Sequence, residues 1–162
     1  MANRFFVGMG DSTAEPAWLC RVEPFLAAAM QELHFDGEEL SVVFCGDGFM
    51  QSLNKQYRSI DSPTDVLSFE EGAEEYEEDG VVWKGMGDIV VSLDTLPKNA
   101  AYFGVGADEE LKRLLVHGIL HLNGMDHGDE HVEPGVAPDC AMLRLQEVTL
   151  QKLNDYTIIE NK

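Results

Sequence analysis

Basic side chains are what this chain lacks most. Lysine and arginine supply 11 of 162 residues against 30 aspartates and glutamates, for a formal net charge of −19. Such a charge repels polyanions at long range and counts against non-specific nucleic-acid binding through a broad basic face. It leaves room for a local phosphate site built on one or two cations. Cysteine is nearly as sparse: Cys20, Cys45 and Cys140 are odd in number, scattered, and never arranged as Cys-x-x-Cys. This excludes a disulfide framework and a thiolate metal site, and fits reduced, mostly buried thiols in a cytoplasmic protein. No apolar run approaches the roughly 20 residues that span a bilayer, so no membrane association is expected. The first ten residues hold one cation and a short Phe5-Phe6-Val7 patch, which makes neither a signal peptide nor a targeting segment. No internal repeat is visible. With 44% hydrophobic residues, the span 1–162 reads as one domain with a core that needs no disulfide support.

What the sequence does have is concentrated between His117 and His127: His-Gly-Ile-Leu-His-Leu-Asn-Gly-Met-Asp-His, three of the five histidines within eleven residues. His117 and His121 are four apart and share one face of a helix. Gly124 suits the left-handed position that ends such a helix, and a turn there brings His127 back toward the other two. Three neutral imidazoles converging from one side bind a divalent transition metal and leave a coordination position open, the layout of a catalytic zinc site. The spacing H-x-x-x-H-x-x-G-x-x-H resembles that of the metzincin proteases, with one absence: Gly118 stands where those enzymes carry the glutamate that serves as general base. The pattern therefore predicts metal-dependent hydrolysis with a different way of activating water, and argues against a protease.

The flanking chain predicts an α+β domain, a small mixed sheet packed with several helices, with the metal site at the end of a buried helix. Residues 4–9 read as a first strand. Apolar residues from Trp18 to Leu33 recur at helical steps after Pro16, and Leu40 to Cys45 is β-branched and aromatic enough for a buried strand. Asp47 is a candidate cap for a helix carrying Met50, Leu53 and Tyr57. Asp61-Ser62-Pro63 is turn chemistry leading into a strand, Val66 to Phe69. Lys55 and Arg58 sit one helical turn apart just before it, in a chain poor in cations. They suit phosphate contact, and equally pairing with carboxylates such as Asp61.

Residues 70–79 hold seven acidic side chains in ten and read as a solvated hairpin loop. Val81 to Trp83 and Gly87 to Ser92 follow as strands with a bend or bulge at Gly85-Met86-Gly87. Asp94 is a candidate cap for a helix to Tyr102, and Asp108 for the helix carrying the histidines, which leucine and isoleucine make apolar around most of its circumference. A polar loop with Asp129, Glu130, His131 and Glu133 comes next, His131 being read as solvated rather than a ligand. Pro138 to Tyr156 forms the final amphipathic helix.

Taken with Asn54…Tyr57-Arg58, Pro63-Thr64-Asp65-Val66-Leu67-Ser68-Phe69 and Gly87-Asp88-Ile89, the histidine stretch resembles the signature of the YbeY family of bacterial rRNA maturation endoribonucleases. These motifs stand in the family's order across roughly residues 40–150. The resemblance implies a single-domain cytoplasmic metalloprotein, usually assigned one zinc ion, that cleaves single-stranded regions of RNA. Its implied roles are 16S rRNA 3′ end maturation, ribosome assembly and quality control, with the small subunit or assembly proteins as partners. Carried over by motif, His117, His121 and His127 become the metal ligands and Arg58 the functional arginine beside them. The acidic stretch at 70–80 departs from typical members.

The mechanism expected from these residues is metal-assisted phosphodiester cleavage, with Arg58 stabilising charge on the phosphate. Asp126 either orients a ligand imidazole or caps its loop. Two rival expectations are a metal-dependent hydrolase of another substrate, peptide included, and a non-catalytic ribosome assembly factor.

Overall fold

The computed structural model describes residues 3–127 and 138–160. Its centre is a four-stranded mixed sheet in the order β1-β2-β4-β3, from β1 (Arg4–Met9), β2 (Glu38–Cys45), β3 (Val66–Glu78) and β4 (Val81–Ser92). β1 and β4 both run parallel to β2, and β3 returns antiparallel along β4. A single 3-10 turn leads into α1 (Val22–Glu32), and α2 (Asp47–Arg58), α3 (Leu96–Phe103), α4 (Ala107–Leu122) and α5 (Ala141–Lys152) complete the chain. The architecture is the expected α+β class with a mixed sheet.

Alternation along the strands sorts the core into two faces. Val42, Phe44, Ile89 and Val91 point to the side covered by α1 and α4, while Cys45, Leu67 and Val90 meet Met50 of α2 on the other. α1 buries Val22, Phe25, Leu26, Ala29 and Met30, a helical stripe with nothing polar in it. The inner half of β4 is buried on both faces, so Ile89, Val90, Val91 and Ser92 are all inaccessible. Each of these larger aliphatic side chains contributes about 1.5–3 kcal/mol on burial. α4 lies deepest of the helices, packing on α1, α3, α5 and both β3 and β4.

Several local expectations are corrected here. The acidic run 70–79 is not a loop: β3 continues to Glu78 and turns at Asp79-Gly80, both at positive φ (54° and 81°), as a tight two-residue hairpin requires. Its outer end is held to the rest of the sheet, since Arg4 Nη1 donates to Glu78 Oε2 at 2.6 Å and the Tyr76 hydroxyl bonds the Glu39 carboxylate. Val81–Trp83 and Gly87–Ser92 are one strand, interrupted by a register shift between Glu70 and Glu74 that falls opposite Met86. Gly87 sits there at φ +129°, where a Cβ would lie 1.9 Å from the Phe69 carbonyl oxygen.

The helix caps also differ from expectation. Asp47 and Asp108 lie inside their helices, whose caps are Gly46 and Gly106, and Thr95 rather than Asp94 precedes α3. The carboxylates bind elsewhere: Asp94 Oδ2 accepts the Asp47 N–H at 2.8 Å, so it serves the start of α2. Asp108 Oδ1 accepts the N–H groups of Ile158 and Ile159 at 2.7 and 2.9 Å and ties the C-terminal segment to α4. The final helix is shorter than Pro138 to Tyr156, and α1 begins only at Val22. His131 and the rest of its polar loop lie outside the described residues.

Candidate metal centre

α4 positions the first two histidines by pressing its back against the sheet. Gly118 is buried there, and a Cβ on it would stand 2.8 Å from both Cγ1 and Cδ1 of Ile89. The helix can therefore approach β4 only because this residue has no side chain. His117 and His121 project from its half-buried side, one turn apart. The helix then stops in two reverse bonds, Gly124 N–H to the His121 carbonyl at 3.0 Å and Met125 N–H to the Leu120 carbonyl at 3.0 Å, with Gly124 at φ +86°. Asn123, at the helix end, also donates to Glu38 Oε1 at 3.0 Å.

This turn brings His127 back. Its ring centroid lies 5.3 Å from His117 and 5.4 Å from His121, which are 4.7 Å from each other. One ring nitrogen from each histidine falls within 4.8 Å of the other two, a grouping that could hold a metal ion. Burial, reinforced by the neighbouring His127, pushes the His121 pKa below its ordinary value, with Asp126 and Glu70 opposing. Its imidazole is thus neutral at neutral pH, the form that ligates.

The histidines open onto a cleft of about 640 Å³ walled by α4, the start of β3, α3 and α5. Arg58, the last residue of α2, lines the same cleft and is exposed. It makes no ion pair among the described residues, whereas its neighbour Lys55 lies 3.9 Å from Asp61. The two cations that the sequence could not separate thus have different surroundings. Asp126 also lines the cleft.

A family model described as endoribonuclease YbeY matches residues 11–154. The chain belongs to the YbeY family. The endoribonuclease YbeY of Treponema denticola is 47% identical over 158 residues, covering 98% of both chains. That of Aquifex aeolicus is 40% identical over 134 residues, covering 83% of each. A Thermotoga maritima protein solved in solution superposes with a TM-score of 0.59 at 25% identity, covering 95% of this chain and 91% of its own. Among the described residues, no helix is long and apolar enough to cross a membrane.

Behind the YbeY histidines lies a polar cluster that the sequence reading missed. His117 Nδ1 is 2.8 Å from Oε1 of Gln146, a residue of α5 that is 1% exposed. Gln146 Nε2 donates to Glu147 Oε2 at 3.0 Å, and Glu147 accepts from Arg113 through Nε and Nη2 at 3.2 and 3.0 Å. Arg113 Nη1 also donates to Glu110 Oε1 at 3.0 Å. Glu110 is 1% exposed, and burial pushes its carboxyl up to about 7 despite that arginine. The signal was present in sequence: Gln146 falls in the apolar stripe Met142, Leu143, Leu150 and Leu153, where a polar side chain must have a partner.

Proposed function

We propose that this chain is a zinc-dependent endoribonuclease that cuts single-stranded RNA in the cytoplasm. Its substrate on this reading is rRNA, at the 3′ end of the 16S species, with the small subunit or its assembly proteins as partners. The observation that carries the proposal is the meeting in one cleft of three histidines and an arginine that makes no ion pair among the described residues, in a chain of the YbeY family. His117, His121 and His127 would hold the ion; an all-nitrogen set of neutral imidazoles suits zinc and does not suit magnesium or calcium. When bound, zinc supplies Lewis acidity toward a phosphate oxygen or a water.

The protein's own part is to bind and orient. Arg58 donates to the non-bridging phosphate oxygens and offsets the charge that builds on them during displacement. The cleft walls keep the reacting phosphate beside the histidines. A peptidase reading loses its support at Gly118, since the position of the missing base is filled by Ile89 of the sheet.

The test is cleavage of a single-stranded RNA by zinc-quantified protein, with His121→Ala prepared in parallel. The expected outcome is loss of both zinc and activity in the variant. Retention of stoichiometric zinc by His121→Ala would overturn the ligand assignment. Equal trace cleavage by both samples would favour the non-catalytic assembly role, read out as binding to the small subunit. Product ends then separate the two nucleophiles: attack by the RNA 2′-OH leaves a 2′,3′-cyclic phosphate, whereas attack by water leaves an uncyclised phosphate.

A further inference from the structure

The Arg113–Glu147–Gln146 chain ends on a ring nitrogen, and its direction is fixed along its whole length. Arg113 has only donors, so Glu147 accepts from it with both carboxylate oxygens. Glu147 Oε2 accepts again from Gln146, which settles the amide's orientation, because a reversed amide would place its carbonyl oxygen against the carboxylate. Gln146 then presents Oε1 to His117, and an acceptor there requires that Nδ1 carry the proton. A neutral imidazole protonated at Nδ1 has its lone pair on Nε2. We propose that Gln146 is a positioning residue that selects the His117 tautomer, so that Nε2 is the nitrogen offered to the metal, and that Arg113 and Glu147 hold Gln146 in that role. The inference rests on the metal reading above.

Three features make this more than a packing contact. Gln146 is 1% exposed, so water does not compete for its amide and the amide needs protein partners. The clamp on it is charged and two-pronged, and Arg113 is itself pinned by Glu110 from the same helix and lies 5.6 Å from the Phe103 ring centroid. Gln146 and Glu147 also come from a different element, α5, so the docking of α5 on α4 bears on the orientation of a ligand on α4. His117 lies within α4, ahead of the turn that places His127, and this contact reaches it at Nδ1.

The experiment compares wild type, Gln146→Met and Gln146→Glu. Methionine keeps the volume and removes the strong acceptor; glutamate, kept protonated by burial and by the facing Glu147 carboxylate, donates its O–H where the amide donated at 3.0 Å and keeps a carbonyl acceptor toward His117. Two readouts are needed, and neither is activity. The first is the His117 tautomer in metal-free protein, from long-range nitrogen–proton NMR. The second is the dissociation constant for zinc, by competition with a chromophoric chelator. We expect the Nδ1–H tautomer in wild type, its loss in Gln146→Met with zinc binding about 10–100-fold weaker, and recovery of most of that loss in Gln146→Glu. An Nε2–H tautomer in wild type, or wild-type affinity in Gln146→Met, overturns the inference. Equal weakening in both variants also overturns it, because packing rather than the acceptor would then be responsible. Should Gln146→Met fail to fold, the wild-type tautomer still decides. A wild type that binds no zinc sinks the metal reading instead, which is a distinguishable failure.

Discussion

Arg58 and Arg113 show how differently one residue type can be used within a single cleft. Arg113 is held by Glu147, Glu109 and Glu110 and serves the interior. Arg58 is exposed at the end of α2 and has no ion pair among the described residues. Removing its side chain therefore costs the fold little, within about 0.5 kcal/mol. Arg58→Ala is expected to lower kcat/KM on RNA by about 10²–10³-fold, the range seen on deleting one preorganised donor to a developing oxyanion. Zinc content and the unfolding midpoint should match wild type, which metal analysis and thermal unfolding check. A parallel loss of zinc would place the arginine in the metal site's support rather than on the phosphate.

At the scale of elements, α4 and its partners are where sequence and structure agreed best and also where the sequence was silent. The two helical histidines, the glycine stop and the return of the third are local chemistry, and local chemistry is legible in a string of residues. The first strand was likewise read correctly: Arg4–Met9 pairs in parallel with β2 at the edge of the sheet. β3 beyond Phe69 was not legible, because both of its faces meet solvent and no alternation marks it. Its strand character comes from β4 beside it and from Asp79-Gly80, a turn pair that outweighs the composition around it. The Gln146 contact was invisible for another reason: it joins helices 29 residues apart, and only packing says which turn meets which.

The contact between α4 and β4 carries its own prediction. Gly118→Ala places a methyl 2.8 Å from Ile89, a branched side chain that is itself fully buried. A loss of about 1–3 kcal/mol in unfolding free energy is expected, as for other overpacked cores. Ile89→Ala removes the atoms that collide, so the double variant should be more stable than the sum of the two single losses predicts. Additive losses in denaturant unfolding would show that the helix does not rest on this contact.

For the whole molecule, the buried Glu110 links stability to pH. Burial, helped by Asp65 and Glu147 and opposed by Arg113, pushes its carboxyl up to about 7 in the fold from an ordinary 4.5. The folded state holds that proton more tightly than the unfolded chain. The stabilisation it gives is complete below about 4.5 and is lost as pH rises through about 7. Glu110→Gln cannot make this exchange, so wild type should lose stability relative to it across that window, by at most about 1.4 kcal/mol per pH unit. Chemical unfolding of both proteins at pH 5 and pH 8 checks it; parallel behaviour would mean that Glu110 ionises freely in the fold.

The buried glycine on α4 also bears on what this protein can become. Two of the four glycine codons differ from a glutamate codon by one base, so the residue that turns a similar histidine pattern toward peptide hydrolysis can lie a single mutation away. Here that mutation drives a charged chain into Ile89, a fully buried residue of the sheet that leaves it no space. The lineage can reach a protease only by first moving the helix away from the sheet, which would take the histidines with it. Two chemistries adjacent in the genetic code are thus kept apart by the thickness of one layer of core.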